Sequence, residues 1–567
     1  MNPNETIGRL VPRLFEDGDL LAVEKPAGID VTSGPGRSAP GLVEILAAAG
    51  GQHGPLAPIN RLSRYESGVL LLAKNTAVGE FIRKGLQAHQ VEQSYVAIVL
   101  GRPAEPVVSV DPLCGASRGR APDGRLRRPE HQVKQGRTGK PRPSEAAGRG
   151  GERRTLIQAI RSTPRRSLIR CTTTVENTHA IRAQLRAMRL RLLGDAVHDR
   201  SARARSQSLT CLHLGRIAFY HPTLKRKLSV TCRPPAAFDR ILTGAADVER
   251  ALRAALVRRL ELFARNDTDA LRLLSGNVED LPGLSAEKFG EVVILQVSDE
   301  RPGLLAAVPH IAEWYRNTLG VGAVYLKRFV KRRAGVDEAL LSELHAAKPV
   351  TGEAVPEQVE IFERGLRFLI RPHHGFSVGL FLDHRDNRRR VRALAEGKRV
   401  LNLFAYTCGF SVAAAAGGAS QTVSVDISPT HLDWGRANFD LNHLDSPDHQ
   451  FVRSDALDFL KLCQRQEQRF DVALVDPPTF AHGRTSQRGF SIARDLSALI
   501  DQAVRVLVPG GTLMVSTNNR RLSLPELRER IQAGAGRRAL RITSTPELPV
   551  DFAMDPAHAR TIFAVVE

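Results

Sequence analysis

From Gly397 onward the chain alternates short apolar runs with helical patterns, and this alternation constrains its fold more than any other feature. The runs are KRVLNLFAY, TVSVDIS, HQFVRSD, FDVALVDPP and GTLMVST, and segments such as PTHLDWGRANFDLN and ARDLSALIDQAVRVL separate them. Strands alternating with helices require a parallel, doubly wound α/β sheet of Rossmann-like type. In such a sheet a ligand sits beyond the carboxyl ends of the strands, where the winding reverses. The first run leads into Thr407-Cys408-Gly409-Phe410, where Gly409 allows close approach of backbone to a ligand. The second ends in Asp426, a little short of the roughly 20-residue spacing at which a carboxylate reaches ribose hydroxyls. The third ends in Asp455, placed to meet an adenine edge, and the fourth in Asp476-Pro477-Pro478, at the reaction side of the cleft. Any one of these aspartates is ordinarily a turn former or helix cap. Three at successive strand ends point to a nucleoside-binding site.

A chain of 567 residues holds about three domains, and 42% hydrophobic residues suffice for several cores. The formal charge of +21 favours a polyanionic partner, because phosphate contacts release counterions; a generally Arg-rich composition is the competing explanation. Cys114, Cys171, Cys211, Cys232, Cys408 and Cys463 are scattered, without metal-ligand spacing, which fits free thiols, no bound metal and a reducing compartment. The first residues carry acidic groups where a signal peptide needs an apolar run, and no stretch has the length of a membrane span. The expectation is a cytoplasmic protein with no membrane partner.

Three regimes divide the chain. Residues 1–240 mix β-type runs (DLLAVEK, GVLLLAKN, SYVAIVLG, TLIQAI, SLIRCTTTV, LSVTC) with turns, as a mixed α+β domain does. A tract at 115–154, rich in Arg, Gly and Pro, is too poor in apolar groups to pack and is expected as a basic loop. Residues 241–352 form a helical connector, DVERALRAALVRRLELFAR at 246–264, and a small α+β middle domain. Residues 353–567 open with a hairpin, VPEQVEIFERGLRFLIRP, and carry the doubly wound domain.

The stretches GLFLDHRDNR, LNLFAYTCGFSVAAAAGGA, VSVDIS and VDPPTF resemble those of bacterial large-subunit rRNA methyltransferases of the class I fold, over about half the chain from residue 270. The resemblance implies S-adenosylmethionine as cofactor and rRNA, mature or precursor, as partner. It also implies that Phe381, Asp383 and Arg385 help to close the cofactor pocket; by composition alone FLDHRDNRRR reads as an exposed basic helix start. The candidate pocket is then Phe381, Asp383, Arg385, Phe404, Tyr406, Thr407, Gly409, Asp426, Ile427, Asp455, Ala456 and Asp476.

Methylation at C5 of a pyrimidine needs a cysteine nucleophile. In cytosine-methylating relatives that thiol follows the strand after Asp-Pro-Pro; here the place reads Met514-Val515-Ser516-Thr517-Asn518-Asn519. Guanine N7 needs neither base nor nucleophile, only alignment and exclusion of water. DPPTF, STNNR and LPVDF resemble the guanine-N7 branch. Asp476, Pro477, Pro478, Asn518 and Asn519 are the candidate catalytic residues, with a plain strand-end turn as the alternative for the Asn pair. Phe480 is a candidate to stack on the target base.

Residues 10–240 resemble RluA-type pseudouridine synthases, through LFEDGDLLAVEKPAGIDV, NRLSRYESGVLLLAKN, QSYVAIVLG and NTHAIRAQLRAMRLRLLGDAVHD. The family's His-Arg-Leu-Asp supplies the nucleophilic Asp; this chain has Asn60-Arg61-Leu62-Ser63, and a later Gly-Arg has become Glu176-Asn177. Serine without a base is a poor nucleophile, and Glu66, three residues on, is expected to point elsewhere. The domain reads as a degenerate site that binds RNA through Arg61, Ser63, Tyr95 and Arg182. Two alternatives stand: a bifunctional methyltransferase and pseudouridine synthase, and a non-catalytic RNA-binding ribosome-assembly factor. A small-molecule methyltransferase fits the charge and the front domain less well.

Overall fold

The alternation after Gly397 folds as the pattern requires. In the computed structural model of the chain the runs become β1 (Arg399–Leu403), β2 (Gln421–Asp426), β3 (His449–Arg453), β4 (Phe470–Val475) and β5 (Leu507–Thr517). They pair in parallel in the order β3-β2-β1-β4-β5. Helices α1 (Arg385–Leu394), α2 (Gly409–Ala416), α3 (Pro429–Leu441), α4 (Ala456–Arg465) and α5 (Ile492–Arg505) flank the strands. Burial on both faces explains why the central strands are unbroken apolar runs; Val400, Leu401, Leu403, Ala473, Leu474 and Val475 are fully buried. Two strands that the sequence pattern did not mark, β6 (Leu540–Ser544) and β7 (Arg560–Val566), join through antiparallel pairs. The order is β3-β2-β1-β4-β5-β7-β6. Winding reverses between β1 and β4, so the carboxyl ends of β1, β2 and β4 open on one crevice.

The structure describes residues 3–34, 39–49, 55–103, 107–110, 154–175, 178–195, 210–243, 248–279, 281–298, 302–329, 348–373, 377–444, 446–478, 480–481, 490–519, 521–536, 538–553 and 558–567. The basic tract, except Arg154, and the Glu176-Asn177 pair lie outside the described residues. Among those described, no helix is long and apolar enough to cross a membrane.

Two compact units appear, residues 2–265 and 266–567. In the second, the strands Ala270–Ser275, Leu284–Phe289, Val292–Ser298, Ala323–Phe329 and Thr351–Gly352 form a small sheet, with helix Pro302–Leu319 linking its parallel pair. Its Ala270, Phe289 and Ile294 share one apolar cluster with Phe368, Ala405 and Val412, so the middle region packs as part of the unit that carries the doubly wound sheet. The expected hairpin is Val359–Glu363 with Leu366–Ile370, turned through Arg364 and Gly365, both at positive φ. In the first unit a mostly antiparallel sheet runs, through its central strands, in the order Leu20–Lys25, Ser67–Ala73, Leu212–His221, Glu92–Leu100, Arg166–Thr173. The expected connector is two helices, Val248–Val257 and Leu260–Arg265. They belong to the front unit, because Leu252, Ala255, Leu256 and Leu260 are fully buried and the helices pack on Pro3–Leu10. The boundary expected at 240/241 therefore falls at 265/266.

Candidate active site at the switch point of the C-terminal sheet

A cavity of about 860 Å³ lies at the carboxyl ends of β1, β2 and β4. Its floor is the turn after β1, in which Phe404, Tyr406 and Cys408 take φ of +58°, +49° and +61°. Left-handed backbone costs a residue with a Cβ roughly 1–2 kcal/mol, so the turn needs external bracing. Asp426 supplies it from the end of β2. Its Oδ2 accepts the Tyr406 N–H at 2.9 Å and its Oδ1 the Ser428 N–H at 2.9 Å. Asn438 Nδ2 donates to the Thr407 carbonyl at 2.9 Å, and the Thr407 hydroxyl donates to the Gly379 carbonyl. Thr407 and Asp426 both line the cavity. Gly409 does too, but a Cβ there would press on Leu380 Cδ1 at 3.2 Å. A side chain there would also have to displace the end of Leu380, so packing as well as the cavity favours glycine at this position.

Asp455 lines the cavity while one of its oxygens accepts the Leu457 N–H at 2.9 Å and caps α4, so cap and site coincide in one residue. Ala456, Phe404 and Ile427 complete that wall. Ile427 and Phe381 are 40% and 44% exposed, unusual for large apolar side chains, and Phe381 packs 5.4 Å from the Tyr406 ring. These surfaces suit the faces of a nucleoside base. The lining also carries six carboxylates (Asp383, Asp426, Asp455, Asp458, Asp476, Asp495) against three permanent cations (Arg388, Lys461, Arg494). In a chain of charge +21 this acidic pocket suits a ligand with a sulfonium and an ammonium, as S-adenosylmethionine has. Its size lies within the range of cofactor sites.

At the reaction end Asp476, Pro477, Pro478 and Asn518 line the cavity. Sequence reasoning missed a neighbour, His384, at the close of the Leu382–His384 turn before α1. Its Nε2 lies 3.3 Å from Asp476 Oδ2 and 3.5 Å from Ser516 Oγ, and its Nδ1 lies 3.1 Å from Asn387 Nδ2. Burial opposes its charge, but the carboxylates of Asp476 and Asp383 outweigh that and raise its pKa. Burial likewise resists ionisation of Asp383, but His384, His558 and the Ala559 N–H prevail and hold its carboxyl below the usual range. The signal available in the sequence was FLDHR itself, with a histidine beside two charged residues.

Two expected site residues are elsewhere. Arg385 is 1% exposed and lies off the cavity; it forms a bidentate pair with Asp551, at 2.9 and 3.1 Å, and donates to the Ala270 carbonyl at 2.7 Å. Its fork needs a carboxylate partner, and burial makes that partner obligatory. Its neighbour Arg388, which does line the cavity, donates to Glu363 at 2.7 Å through Nε and through Nη2, and its Nη1 donates to the Phe381 carbonyl at 2.8 Å. Asn519 also lies off the cavity; its Oδ1 accepts the Arg521 N–H at 3.0 Å, so it is the strand-end turn. The Phe480 side chain lies outside the described residues.

In the front unit Arg61 and Ser63 are exposed. Glu66 does not point elsewhere. The turn folds it back, and its Oε2 accepts the Ser63 N–H at 2.8 Å while its Oε1 pairs with Arg182 at 2.5 Å. Glu66 and Arg182 are 0% and 4% exposed, and Arg182 also holds Asp195 at 2.9 Å. Lys25 donates to the carbonyls of Ser63 and Glu66 at 3.0 and 2.8 Å, fixing the same turn. Asn60 bonds both ways to the Ser67–Ala73 strand. Tyr95 is fully buried and donates to Gln93 at 2.9 Å. Tyr95 and Arg182 therefore serve the core of this unit and present no surface to RNA, contrary to the expectation from their family places.

Residues 338–562 match the S-adenosylmethionine-dependent methyltransferase family, and residues 19–187 match RNA pseudouridylate synthase. Ribosomal RNA large subunit methyltransferase K of Neisseria meningitidis serogroup B is 34% identical over 263 residues, 46% of this chain and 73% of that protein. Ribosomal RNA large subunit methyltransferase I of Escherichia coli O1:K1 is 34% identical over 263 residues, which are 45% of this chain and 62% of that one. A solved methyltransferase in complex with SAH superposes with a TM-score of 0.51 at 26% identity, covering 62% of this chain and 88% of the other. A SAM-dependent methyltransferase from Streptococcus mutans gives 0.50 at 26% identity, covering 63% and 89%. With the switch-point cavity and its strand-end carboxylates, these matches make the chain an S-adenosylmethionine-dependent methyltransferase that belongs to the family of those large-subunit methyltransferases and carries a pseudouridine-synthase-like domain in front.

Proposed function

We propose that the enzyme acts in the cytoplasm on large-subunit rRNA or its precursor, methylates guanine N7, and uses its front domain to hold RNA without isomerising it. The observation that carries the target atom concerns the thiols. Cys408 and Cys463 are fully buried, and burial pushes their pKa values up to about 12 and about 11. Neither supplies the thiolate that attack on a pyrimidine ring carbon requires. The strand end beside Asp476 carries Asn518 on the cavity lining, with Ser516 and Thr517 buried behind it. At N7 a lone pair is already exposed, and the residues have only to align and to exclude water. The cofactor, when bound, supplies an electrophilic methyl group. Asp426 and the acidic wall would hold it, Pro477 and Pro478 would shape the far side, and Asp476 with Asn518 would offer acceptors and a donor to the base edge.

The activity for which the relatives are named and the chain's charge support rRNA as substrate. For the front domain, Ser63 stands at the family's nucleophile position and the nearest carboxylate, Glu66, is consumed by Arg182 and the Ser63 N–H. The exposed Arg61 is left for phosphate contact, which positions RNA without reading it. The test is mass-spectrometric mapping of rRNA from a deletion strain before and after incubation with the purified full chain and S-adenosylmethionine. One 7-methylguanine and no pseudouridine are expected. A 5-methylcytosine would refute the target atom. Pseudouridine lost on Ser63→Ala or Glu66→Ala would refute the inert front domain.

A further inference from the structure

His384 and Asp476 meet at the reaction end of the cavity, which both of them line. An ionised carboxylate has only acceptors, so a proton on His384 Nε2 is what would bind Asp476 Oδ2, 3.3 Å away. The opposite nitrogen is served in either charge state by Asn387. As oriented, Nδ2 donates to Nδ1 of a neutral ring; turned about, Asn387 Oδ1, a buried atom without a partner in the described structure, accepts from an imidazolium. Asn387 is itself tied to Thr561 at 2.9 Å, and Thr561 to Ser516 at 3.2 Å. The ring is wedged edge-on against Phe410, with centroids 5.2 Å apart. The imidazole is held at both nitrogens and against one ring, with Nε2 lying beside both Asp476 Oδ2 and Ser516 Oγ. The Asp476 side chain is 25% exposed and lines the cavity.

Resting on the rRNA reading above, we propose that His384 is a positioning residue for methyl transfer: it holds Asp476 by one oxygen so that the other stays aimed into the cavity as the acceptor for an N–H of the target base. A carboxylate on a freely turning χ2 would share its time between orientations. One locked by a buried donor presents a single acceptor, and the base edge that meets it must carry a hydrogen. His384 is 4% exposed at the edge of the cavity and acts through Asp476, so its effect should fall on the rate of transfer more than on ground-state binding.

The test separates this role from a merely structural one by which nitrogen is replaced. A glutamine amide reaches the position of Nε2 and an asparagine amide that of Nδ1. Full-length wild type, His384→Gln, His384→Asn and Asp476→Asn are assayed with labelled S-adenosylmethionine and deproteinised large-subunit rRNA from a deletion strain. His384→Asn should lose ~30-fold in kcat, as misplacement of a positioned group does, with cofactor affinity and RNA KM within about threefold. His384→Gln should recover to within about fivefold of wild type. The double variant His384→Asn with Asp476→Asn should be no more than about twofold slower than Asp476→Asn alone, since both remove one interaction. Equal loss in the Gln and Asn variants, a loss carried in cofactor affinity, or multiplicative loss in the double variant would each overturn the assignment and leave the rRNA reading standing. A wild type that transfers no methyl group to this RNA would refute the rRNA reading, and this assignment with it.

Discussion

Asp426 has two roles at once, and the geometry ties them together. Its carboxylate braces a turn with three left-handed residues, and it faces the cavity where ribose hydroxyls are expected. Asp426→Ala should therefore cost at least ~100-fold in affinity for S-adenosylhomocysteine, near 2.7 kcal/mol, by calorimetry; unchanged affinity would remove Asp426 from the site. His384 makes a different, pH-dependent contribution. Its folded pKa is raised above 6.5, so its stabilisation is complete below pH 6.5 and is lost as pH rises through the folded value. The stability difference between wild type and His384→Gln should be largest at pH 5.5–6.5 and shrink above. Both tryptophans, Trp314 and Trp434, lie in residues 266–567, so urea titration followed by tryptophan fluorescence reports that unit alone. A difference that grows with pH would contradict the assignment of charge. The strand-end aspartates were legible because pattern places strand ends. Arg385 and His384 were not, because what each does depends on Asp551 and Asp476, far along the chain.

Elements in the C-terminal unit meet with little clearance. Gly379 sits at φ +123°, and a Cβ there would lie 2.3 Å from the Trp434 ring, which is itself held by a hydrogen bond from Nε1 to the Leu369 carbonyl at 3.0 Å. Its carbonyl also receives the Thr407 hydroxyl, so Gly379 fastens the segment before α1 to the floor of the cavity. Gly379→Ala combines a forbidden φ with overpacking and should cost about 3 kcal/mol or more, seen as a lower urea midpoint by tryptophan fluorescence; a midpoint within error of wild type would refute the clash. The five parallel strands and the hairpin were legible in the sequence. β6 was not, because every residue in it is half-buried or exposed and no apolar run marks it. β7 is apolar, but no helical pattern separates it from β6, to which it pairs antiparallel, and so it breaks the alternation that identified the others.

At the scale of the whole molecule, the cut between units matters for any experiment on the parts. A chain starting at 241 would carry the Val248–Val257 and Leu260–Arg265 helices away from the front core they belong to and expose Leu252, Leu256 and Leu260. Residues 266–567 alone should keep cofactor affinity within about threefold while binding rRNA more weakly. The slope of log affinity against log salt should flatten by about 0.7–0.9 for each phosphate contact removed with the front unit. Filter binding at several salt concentrations measures this, and an unchanged slope would show that the front unit contributes no phosphate contacts. The sequence alone determined the doubly wound sheet, the crevice at its switch point, the strand-end carboxylates and the serine at the isomerase position, because periodicity and motif spacing are carried by neighbouring residues. Only the tertiary structure decided that Glu66 turns back to Arg182, that Arg385 leaves the pocket for Asp551, that Asn519 is a turn and that His384 locks Asp476. Each is a contact between charged or polar groups whose strength depends on distance and burial, and neither is written in the order of residues along a chain.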